Sequence, residues 1–382
     1  MKRRVAVVWL LMVACGSVAT AAACPFCGAV GQPLASRRDA AVGVAVGEAA
    51  GPATLRPAGV LEQPFVLHQR LAGSRAVDRG EQVVAVVPAP VEGTAAVFLA
   101  ASQSEETQGS HRAFAADETR LGYLAGAPSV DRPAAERLRW FVRWLEHPDA
   151  MLAEDAFAEF GLAPFEAVRA VADDLPAKQL RAWVGEPGIV QQRRGFYGLA
   201  VGLVAATRPQ EREACLQTLH RLLREPADDF RAGFDGILAG VLVAEGEAGL
   251  ERLIGLGLLE PAARPVEKRQ MLAVLRFAWE FLGPQIPKPH VASATARLLE
   301  SPVTAAEAAV DLARYRAWDA VDQVAALWAS VGDDDPLVRR AVAGYLTQCP
   351  TPQARRHVEA ISARDAARFE EALQASRLPL PQ

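Results

Sequence analysis

The sequence lacks the residue patterns on which most catalytic and metal sites depend. Six histidines occur in 382 residues, and no two lie three or four positions apart, so no helix face presents a pair of imidazole ligands. A Gly-x-Ser-x-Gly nucleophile turn and a Gly-Lys-Ser phosphate loop are also missing. We therefore expect a protein that is not an enzyme, with no catalytic residues, no cofactor and no bound metal.

Excess positive charge is missing as well. The formal net charge is −4, and it becomes −7 when residues 1–23 are removed, because Lys2, Arg3 and Arg4 are the only charged residues among them. An acidic chain is not drawn to phosphate backbones. Nucleic acid is therefore not an expected partner.

Long apolar runs are absent after the N-terminus, and the run near the start is short. Positive residues at 2–4 precede the nine apolar residues Val5 to Val13, and the small residues Ala21 to Ala23 precede Cys24. This is the pattern of a secretion signal over residues 1–23. Nine residues are too few to cross a bilayer, which requires about 20. We expect an exported protein (periplasmic, envelope-associated or secreted) without a transmembrane segment.

Cysteines are few, and two of the five open the expected mature chain as Cys24-Pro25-Phe26-Cys27. Haem attachment would need histidine at position 28, where glycine stands, and zinc would need a second pair, whereas Cys215 and Cys349 are isolated. A redox dithiol typically begins a helix after a strand, and no strand precedes Cys24. The remaining interpretations of Cys24 and Cys27 are a structural disulfide, a bond to a distant cysteine, or lipidation of Cys24.

Residues 36–103 show the period of two that is typical of strands. Val42, Val44 and Val46 alternate with small residues, Phe65 and Leu67 continue the pattern, and short apolar runs follow at 83–87 and 95–100. Turns rich in glycine and proline separate these segments. The pattern predicts a small β-barrel or sandwich over residues 24–103, then a linker with a short helix over 104–133.

A proline recurs at a nearly constant interval through the last two thirds of the chain. The intervals are 39, 39, 39, 37 and 34 residues, between Pro148, Pro187, Pro226, Pro265, Pro302 and Pro336. Each proline precedes an apolar stripe of helical period, such as Phe230, Phe234, Ile237, Leu238 and Val241. We therefore expect an α+β protein, mainly α, whose residues 134–376 form an α-solenoid of about six helical hairpins and whose tail, 377–382, is frayed.

Two segments of this region resemble the second helix of HEAT repeats. They are Asp335-Pro336-Leu337-Val338-Arg339-Arg340-Ala341-Val342 and, in a more divergent form, His147-Pro148-Asp149-Ala150-Met151-Leu152-Ala153-Glu154-Asp155-Ala156. The resemblance covers residues 134–375. It implies stacked helical hairpins with a concave face that binds a protein partner.

A second resemblance concerns the N-terminal part. Cysteines at the mature N-terminus are followed by 38–46, 65–73 and Gly93 with 97–99 in an order similar to netrin-like domains, the OB-type barrels shared with tissue inhibitors of metalloproteinases. In that family the amino group and carbonyl of an N-terminal cysteine bind the zinc of the target, and the matching residue is Cys24. The whole arrangement also resembles secreted bacterial proteins of unknown function that begin with Cys-Pro-Phe-Cys.

Clustered charged, aromatic and small residues have structural interpretations. Acidic pairs and triplets suit solvated loops and helix starts, where negative charge favours the helix dipole. They are Glu154-Asp155, Asp173-Asp174, Asp228-Asp229 and Asp333-Asp334-Asp335. We expect Trp140, Phe141 and Trp144 to seal the first repeat against the β-domain, and Gly233 and Gly236 to permit close helix packing.

These observations favour an exported, non-enzymatic binding or scaffold protein that uses a helical-repeat surface to hold a protein partner. One alternative is a protease-inhibitor-like or other partner-binding β-domain on a helical support. Another is a hydrolytic or redox enzyme with its site at the junction of the two parts. Titratable side chains that converge in a cleft at this junction would favour the enzyme.

Overall fold

The computed structural model describes residues 26, 30–57, 59–101, 111–225 and 231–377. Its fold is α+β and mainly helical, with a small N-terminal sheet followed by a long series of helices. The predicted class and the order of its two parts are confirmed. The predicted signal peptide, the Cys24 and Cys27 pair, Phe230, the Asp228-Asp229 pair and the tail from residue 378 lie outside the described residues.

One sheet of six strands forms the N-terminal part of the described chain. The strands are β1 (Gly43–Ala49), β2 (Thr54–Leu55), β3 (Leu61–Gly73), β4 (Gln82–Val86), β5 (Thr94–Leu99) and β6 (His111–Ala115). β1 pairs antiparallel with both β3 and β5, and β6 joins β5 to β4. Because β4 pairs with β3, the pairings lead from β1 through β5, β6, β4 and β3 back to β1. The predicted small β-domain is therefore built on one sheet.

Four of these strands were predicted, and two were not. β1, β3, β4 and β5 coincide with the alternating and β-branched segments of the sequence. β6 lies within 104–133, the segment expected to be a linker, and it follows the polar residues there directly. The sheet therefore extends past residue 103, and the parallel pairing of β4 with β6 depends on a strand that the sequence pattern did not reveal.

The two faces of β5 are buried against different parts of the protein. Val97 and Leu99 point into a core made with Phe65 and Leu67 of β3. Phe98 belongs to the core shared with the helices, where its ring lies 5.7 Å from that of Phe114 in β6. A strand buried on both faces explains why residues 95–99 are apolar without alternation.

Helices form the rest of the described chain. They are α1 (Leu34–Ala40), α2 (Glu118–Gly126), α3 (Ala134–Phe141), α4 (Ala150–Leu162), α5 (Phe165–Arg169), α6 (Ala177–Val184), α7 (Gln191–Thr207), α8 (Pro209–Arg224), α9 (Phe234–Glu245), α10 (Glu247–Gly255), α11 (Pro265–Phe281), α12 (Lys288–Arg297), α13 (Ala305–Tyr315), α14 (Val321–Ala326), α15 (Val331–Asp334), α16 (Pro336–Gln348) and α17 (Pro352–Ser376).

The recurring prolines stand at or shortly before six of these helices, which are α4, α7, α9, α11, α13 and α16. In α16, Pro336 takes the first helical position, where a missing N–H leaves no hydrogen bond unmade, and the Asp335 carboxylate accepts the Leu337 N–H at 2.8 Å. Asp149 caps α4 in the same way through the Met151 N–H, at 2.9 Å. Pro226 itself lies outside the described residues.

These six helices contact one another in chain order. α7 packs on α9, α9 on α11, and α13 on α16. The Phe157 and Phe160 rings of α4 meet Phe196 of α7. Trp279 of α11 stacks on Tyr315 of α13 with ring centroids 3.9 Å apart.

Glycines produce the closest of these contacts, between α7 and α9. A β-carbon on Gly236 or Gly240 would overlap the carbonyl oxygen of Gly195 or Gly198 in the facing helix, and one on Gly202 would overlap the backbone of Gly240. Backbones approach this closely only where side chains are missing. Gly236 therefore has the packing role that the sequence indicated. The predicted stripe is also confirmed for Phe234, Ile237, Leu238 and Val241, all of which are buried.

The sheet and the helices share one continuous core. It includes Phe98 and Phe114 of the sheet, Leu34 of α1, and the buried faces of the helices. Phe26 joins this core from the N-terminal side: it is 5% exposed, and its ring lies edge-on to Phe277 of α11 at 5.2 Å. Phe26 of the Cys-Pro-Phe-Cys motif is therefore anchored among the helices.

Candidate functional site

A cleft between the sheet and the helices has a cavity volume of about 750 Å³. Its floor is the outer face of β5 and β6, including Phe98 and Phe114, and its walls are α1 and α4. We call this site the junction cleft. Four charged side chains line it, namely Arg37 of α1, Arg112 of β6, and Glu154 and Asp155 of α4.

Asp155 is the structural centre of the cleft wall. One of its carboxylate oxygens accepts the backbone N–H of Leu34 at 2.6 Å, and the other accepts the Tyr123 hydroxyl at 2.6 Å. These bonds fasten α1 and α2 to α4. Burial raises the pKa of Asp155, since the charged form loses water, while its two donors favour ionisation. The sequence interpretation of this residue as solvated is wrong, because Asp155 is 8% exposed.

Arg38 and Asp39 hold α1 in place from its other side. The Arg38 guanidinium donates to the carbonyl oxygens of Leu124, at 2.8 Å, and Ala127, at 2.5 Å, which satisfies acceptors at the end of α2. Asp39 accepts from Arg38 at 2.7 Å and from the Val130 N–H at 2.8 Å. With Asp155, these contacts fix the helix that carries Arg37.

Glu159 lies one helical turn after Asp155 and is 4% exposed. It forms an ion pair with Arg137 of α3, and its second carboxylate oxygen, Oε1, has no hydrogen-bond partner in the described residues. Both side chains line a small cavity of about 130 Å³ behind α1. Burial raises the pKa of Glu159 to about 7, against the opposing effect of Arg137.

This raised pKa predicts that acidification stabilises the protein through Glu159. Between the ordinary glutamate pKa of 4.5 and the folded pKa of about 7, the folded state binds more protons than the unfolded state, so this contribution is present at low pH and is lost as the pH rises through 7. We expect Glu159→Gln to reduce the loss of unfolding free energy between pH 5 and 7.5 by about 1–3 kcal/mol. Urea unfolding at several pH values measures this.

Glu136→Gln is the matched control, since the Glu136 side chain is 54% exposed and lies on α3 beside the same helix pair. The control should leave the pH dependence unchanged. If the unfolding free energy of the Glu159→Gln protein depended on pH as steeply as that of the wild type, the raised pKa assigned to Glu159 would be wrong. The pKa of Asp155 is also raised, so part of the pH dependence of the unfolding free energy should remain in the Glu159→Gln protein.

Apart from Glu154 and Asp155, the residues singled out in the sequence do not converge on the cleft. Trp140, Phe141 and Trp144 pack around Tyr123 of α2, with ring centroids 4.9–6.1 Å away, so they join the first helices to the segment that follows β6. Asp174 pairs with Arg139, and Asp333 with Arg368. Asp335 caps α16, and Glu154 is exposed as expected.

No group of histidine, cysteine and acidic side chains that would hold a metal ion occurs among the described residues. Cys215 and Cys349 are buried free thiols. Cys24 and Cys27 are outside the described chain, so their disulfide or lipidation stays a prediction. None of the helices in the described ranges combines the length and the apolar character that crossing a bilayer requires.

Sequence reasoning missed Arg37, Arg112 and Tyr123. Arg37 and Arg112 are exposed, distant from each other in sequence, and line the same cleft only because of the fold. For Asp155 and Glu159 a signal was present: they fall four residues apart on the same stripe of α4 as the buried Leu152 and Ala156. Two acids on the apolar stripe of a helix indicate buried carboxylates.

Comparisons with protein-family models, with curated proteins and with solved structures find no match to this chain. The geometry of the junction cleft therefore carries the functional argument alone.

Proposed function

We propose that the protein is an exported, non-enzymatic binding protein whose helices support a partner site in the junction cleft. One observation carries this proposal. Arg37, Arg112 and Glu154 line the cleft and are exposed, and their charged side-chain groups form no hydrogen bond or ion pair within the described chain, whereas both carboxylate oxygens of the neighbouring Asp155 are engaged in holding the fold. Charged groups free at the surface of a cleft suit recognition of a partner.

Two features of the fold support the scaffold part of the proposal. The row of six helices that follow the recurring prolines is compatible with a HEAT-like solenoid, in which each hairpin packs on its neighbours. The circuit of pairings through β1, β5, β6, β4 and β3 has the strand order of a small OB-type barrel. We propose a HEAT-like solenoid and a small OB-type barrel as the two parts of the architecture. The sheet then forms one side of the partner site.

The signal pattern at residues 1–23 supports export to the periplasm, the envelope or the exterior. Cys24 is the proposed point of a disulfide with Cys27 or of a lipid anchor. A protein is the proposed partner, since the acidic chain disfavours nucleic acid. An inhibitor-like role of the β-domain, with Cys24 at its N-terminus, is a variant of the same proposal.

A hydrolytic or redox enzyme at the junction is the second candidate, and one observation favours it. Titratable side chains do converge at the cleft, and the pKa values of Asp155 and Glu159 are raised by burial, as those of catalytic acids often are. Against it, Glu159 is paired with Arg137 and lines the small cavity behind α1, not the junction cleft. Binding of a partner, in contrast, does not require Glu159 to leave its ion pair with Arg137.

Filling the cleft tests the proposal. Ala40, the last residue of α1, is exposed and lines the cleft, so Ala40→Trp should occlude it without disturbing the core. We expect proteins that co-purify with the wild-type chain from its own envelope fraction to fall at least about tenfold with the variant, since steric exclusion removes the contact. Quantitative mass spectrometry measures the loss.

Ala366→Trp is the matched control, because Ala366 is an exposed helical alanine of α17 that does not line the cleft. The control should retain the wild-type partners. Equal recovery with Ala40→Trp and the wild type would rule out the cleft as the partner site.

A further inference from the structure

A groove between α13 and α16 lies near the C-terminal end of the described helices. Its cavity volume is about 330 Å³, and Ser376, the last residue of α17, lines it together with residues of the two helices. We call this site the C-terminal groove. It shares no lining residue with the junction cleft, so it is a separate surface.

The groove exists because small residues face each other across it. Ala306 and Ala313 line it from α13, and Ala341 and Gly344 line it from α16. Leu337, at the start of α16, also lines the groove and is 54% exposed. The described chain therefore leaves a large aliphatic side chain beside an apolar hollow, an arrangement typical of a surface that another segment covers.

Polar side chains that line the groove already have partners within the fold. The pairs are Tyr345 with the Ala317 carbonyl oxygen, Glu307 with Arg276, and Arg314 with Asp311, at 2.6, 2.8 and 3.6 Å. An aliphatic side chain can enter the groove without breaking these contacts, and it needs no hydrogen bond there. The groove therefore favours an apolar occupant.

The chain itself continues from this groove. The end of α17 lies against α16, since a β-carbon on Gly344 would be 3.3 Å from the β-carbon of Ser376. The residues that follow Arg377 are Leu378-Pro379-Leu380-Pro381-Gln382. Five extended residues span about 16 Å. Because Ser376 already lines the groove, this segment starts there.

The chemistry of the segment matches that of the groove. Residues 378–382 carry no charged side chain, and Leu378 and Leu380 each precede a proline, which restricts them to extended conformations. Proline itself has a fixed φ and no N–H, so the segment loses little freedom on docking and buries few backbone donors. Its covalent attachment supplies a high effective concentration. The expectation of a frayed tail assumed that no surface was there to pack against, and the groove is such a surface.

We propose that residues 378–382 lie across the C-terminal groove, with Leu378 and Leu380 packed on Leu337. In an extended backbone, side chains two positions apart point to the same side. Both leucines therefore face the groove, and the two prolines face water. The segment thereby covers the apolar surface that the last helices leave exposed, as the ends of helical-repeat arrays require.

Methyl NMR of the mature protein, labelled at leucine, tests this inference. We expect nuclear Overhauser effects between the methyl groups of Leu337 and Leu380, and weak relaxation of the Leu337 methyl groups by a soluble gadolinium chelate. Leu380→Ser should abolish the cross-peak and increase this relaxation at least about threefold, because the lost apolar contact shifts the segment off the groove.

Pro381→Ser is the matched control, since it introduces the same polar residue at a position that faces water. It should change the relaxation of the Leu337 methyl groups less than about twofold. Leu256 is the internal reference, because it is 42% exposed and does not line the groove. Its relaxation should be the same in all three proteins.

Two results would overturn the proposal. Leu337 methyl groups that are relaxed equally in the wild type and in Leu380→Ser would show that the segment does not cover the groove. Mixing labelled with unlabelled protein separates contacts within one molecule from contacts between two, and cross-peaks between molecules would assign the groove to a second copy of the chain. Neither result depends on what binds in the junction cleft.

Discussion

Gly236→Ala is expected to destabilise the protein by about 3 kcal/mol or more. The added β-carbon would overlap the carbonyl oxygen of Gly195 in α7, which is rigid backbone and cannot rotate away as a side chain could. The helices α7 and α9 would have to separate, and their separation would open contacts made by buried neighbours such as Phe196 and Ile237. Urea unfolding of the mature protein measures the loss.

Gly122→Ala is the control for the chemical change alone. Gly122 lies within α2, is exposed, and has no atom within 4 Å of the position of an added β-carbon. Alanine there should be neutral or stabilise by up to about 1 kcal/mol, because it restricts the unfolded chain and favours helix. If Gly236→Ala behaved like Gly122→Ala, the close crossing of α7 and α9 would be wrong.

Phe26→Ala is expected to cost about 3–5 kcal/mol, the range for removal of a buried aromatic side chain. The ring is 5% exposed and lies edge-on to Phe277, while the Phe26 carbonyl faces Gly195, where a β-carbon would come within 2.8 Å of it. Phe26→Leu should restore part of the loss, since leucine fills most of the volume without the ring contact. Chemical unfolding of the wild type, Phe26→Ala and Phe26→Leu proteins measures these differences in stability.

A Phe26→Ala protein as stable as the wild type would mean that Phe26 is not anchored among the helices. Hydrogen exchange gives a second readout. Since Phe26 contacts α7 and α11, protection should fall there before it falls in β3 or β4, which belong to the separate inner core of the sheet.

Periodicity in the sequence predicted the elements whose environment is uniform along their length. The alternation at Val44 and Val46 predicted β1, and the proline interval predicted the helices led by Pro265 and Pro336. Each of these helices buries one stripe, and in β1 successive residues belong to different cores, Val44 to the core shared with the helices and Ala45 to the inner core of the sheet, so a local pattern records each element. β6 escaped prediction because it follows the polar residues 103–110 directly, and these residues indicated a linker.

The site was less accessible to sequence reasoning, for a physical reason. Arg37 and Arg112 are 75 positions apart, and neither stands in a motif. Their place in one cleft depends on Asp155, which fixes α1 on α4 through a backbone N–H, and a backbone donor leaves no trace in the sequence. The cleft is thus a product of packing between two parts that were predicted separately.

The central claim is that the partner binds in the junction cleft, and site-specific photo-crosslinking tests it most directly. A photoreactive residue at Met151, which lines the cleft, should form a discrete adduct with a partner when the full chain is expressed in its own cells. The same residue at Ala366 of α17 should form none. Absence of an adduct from Met151, or the same adduct from both positions, would contradict the claim.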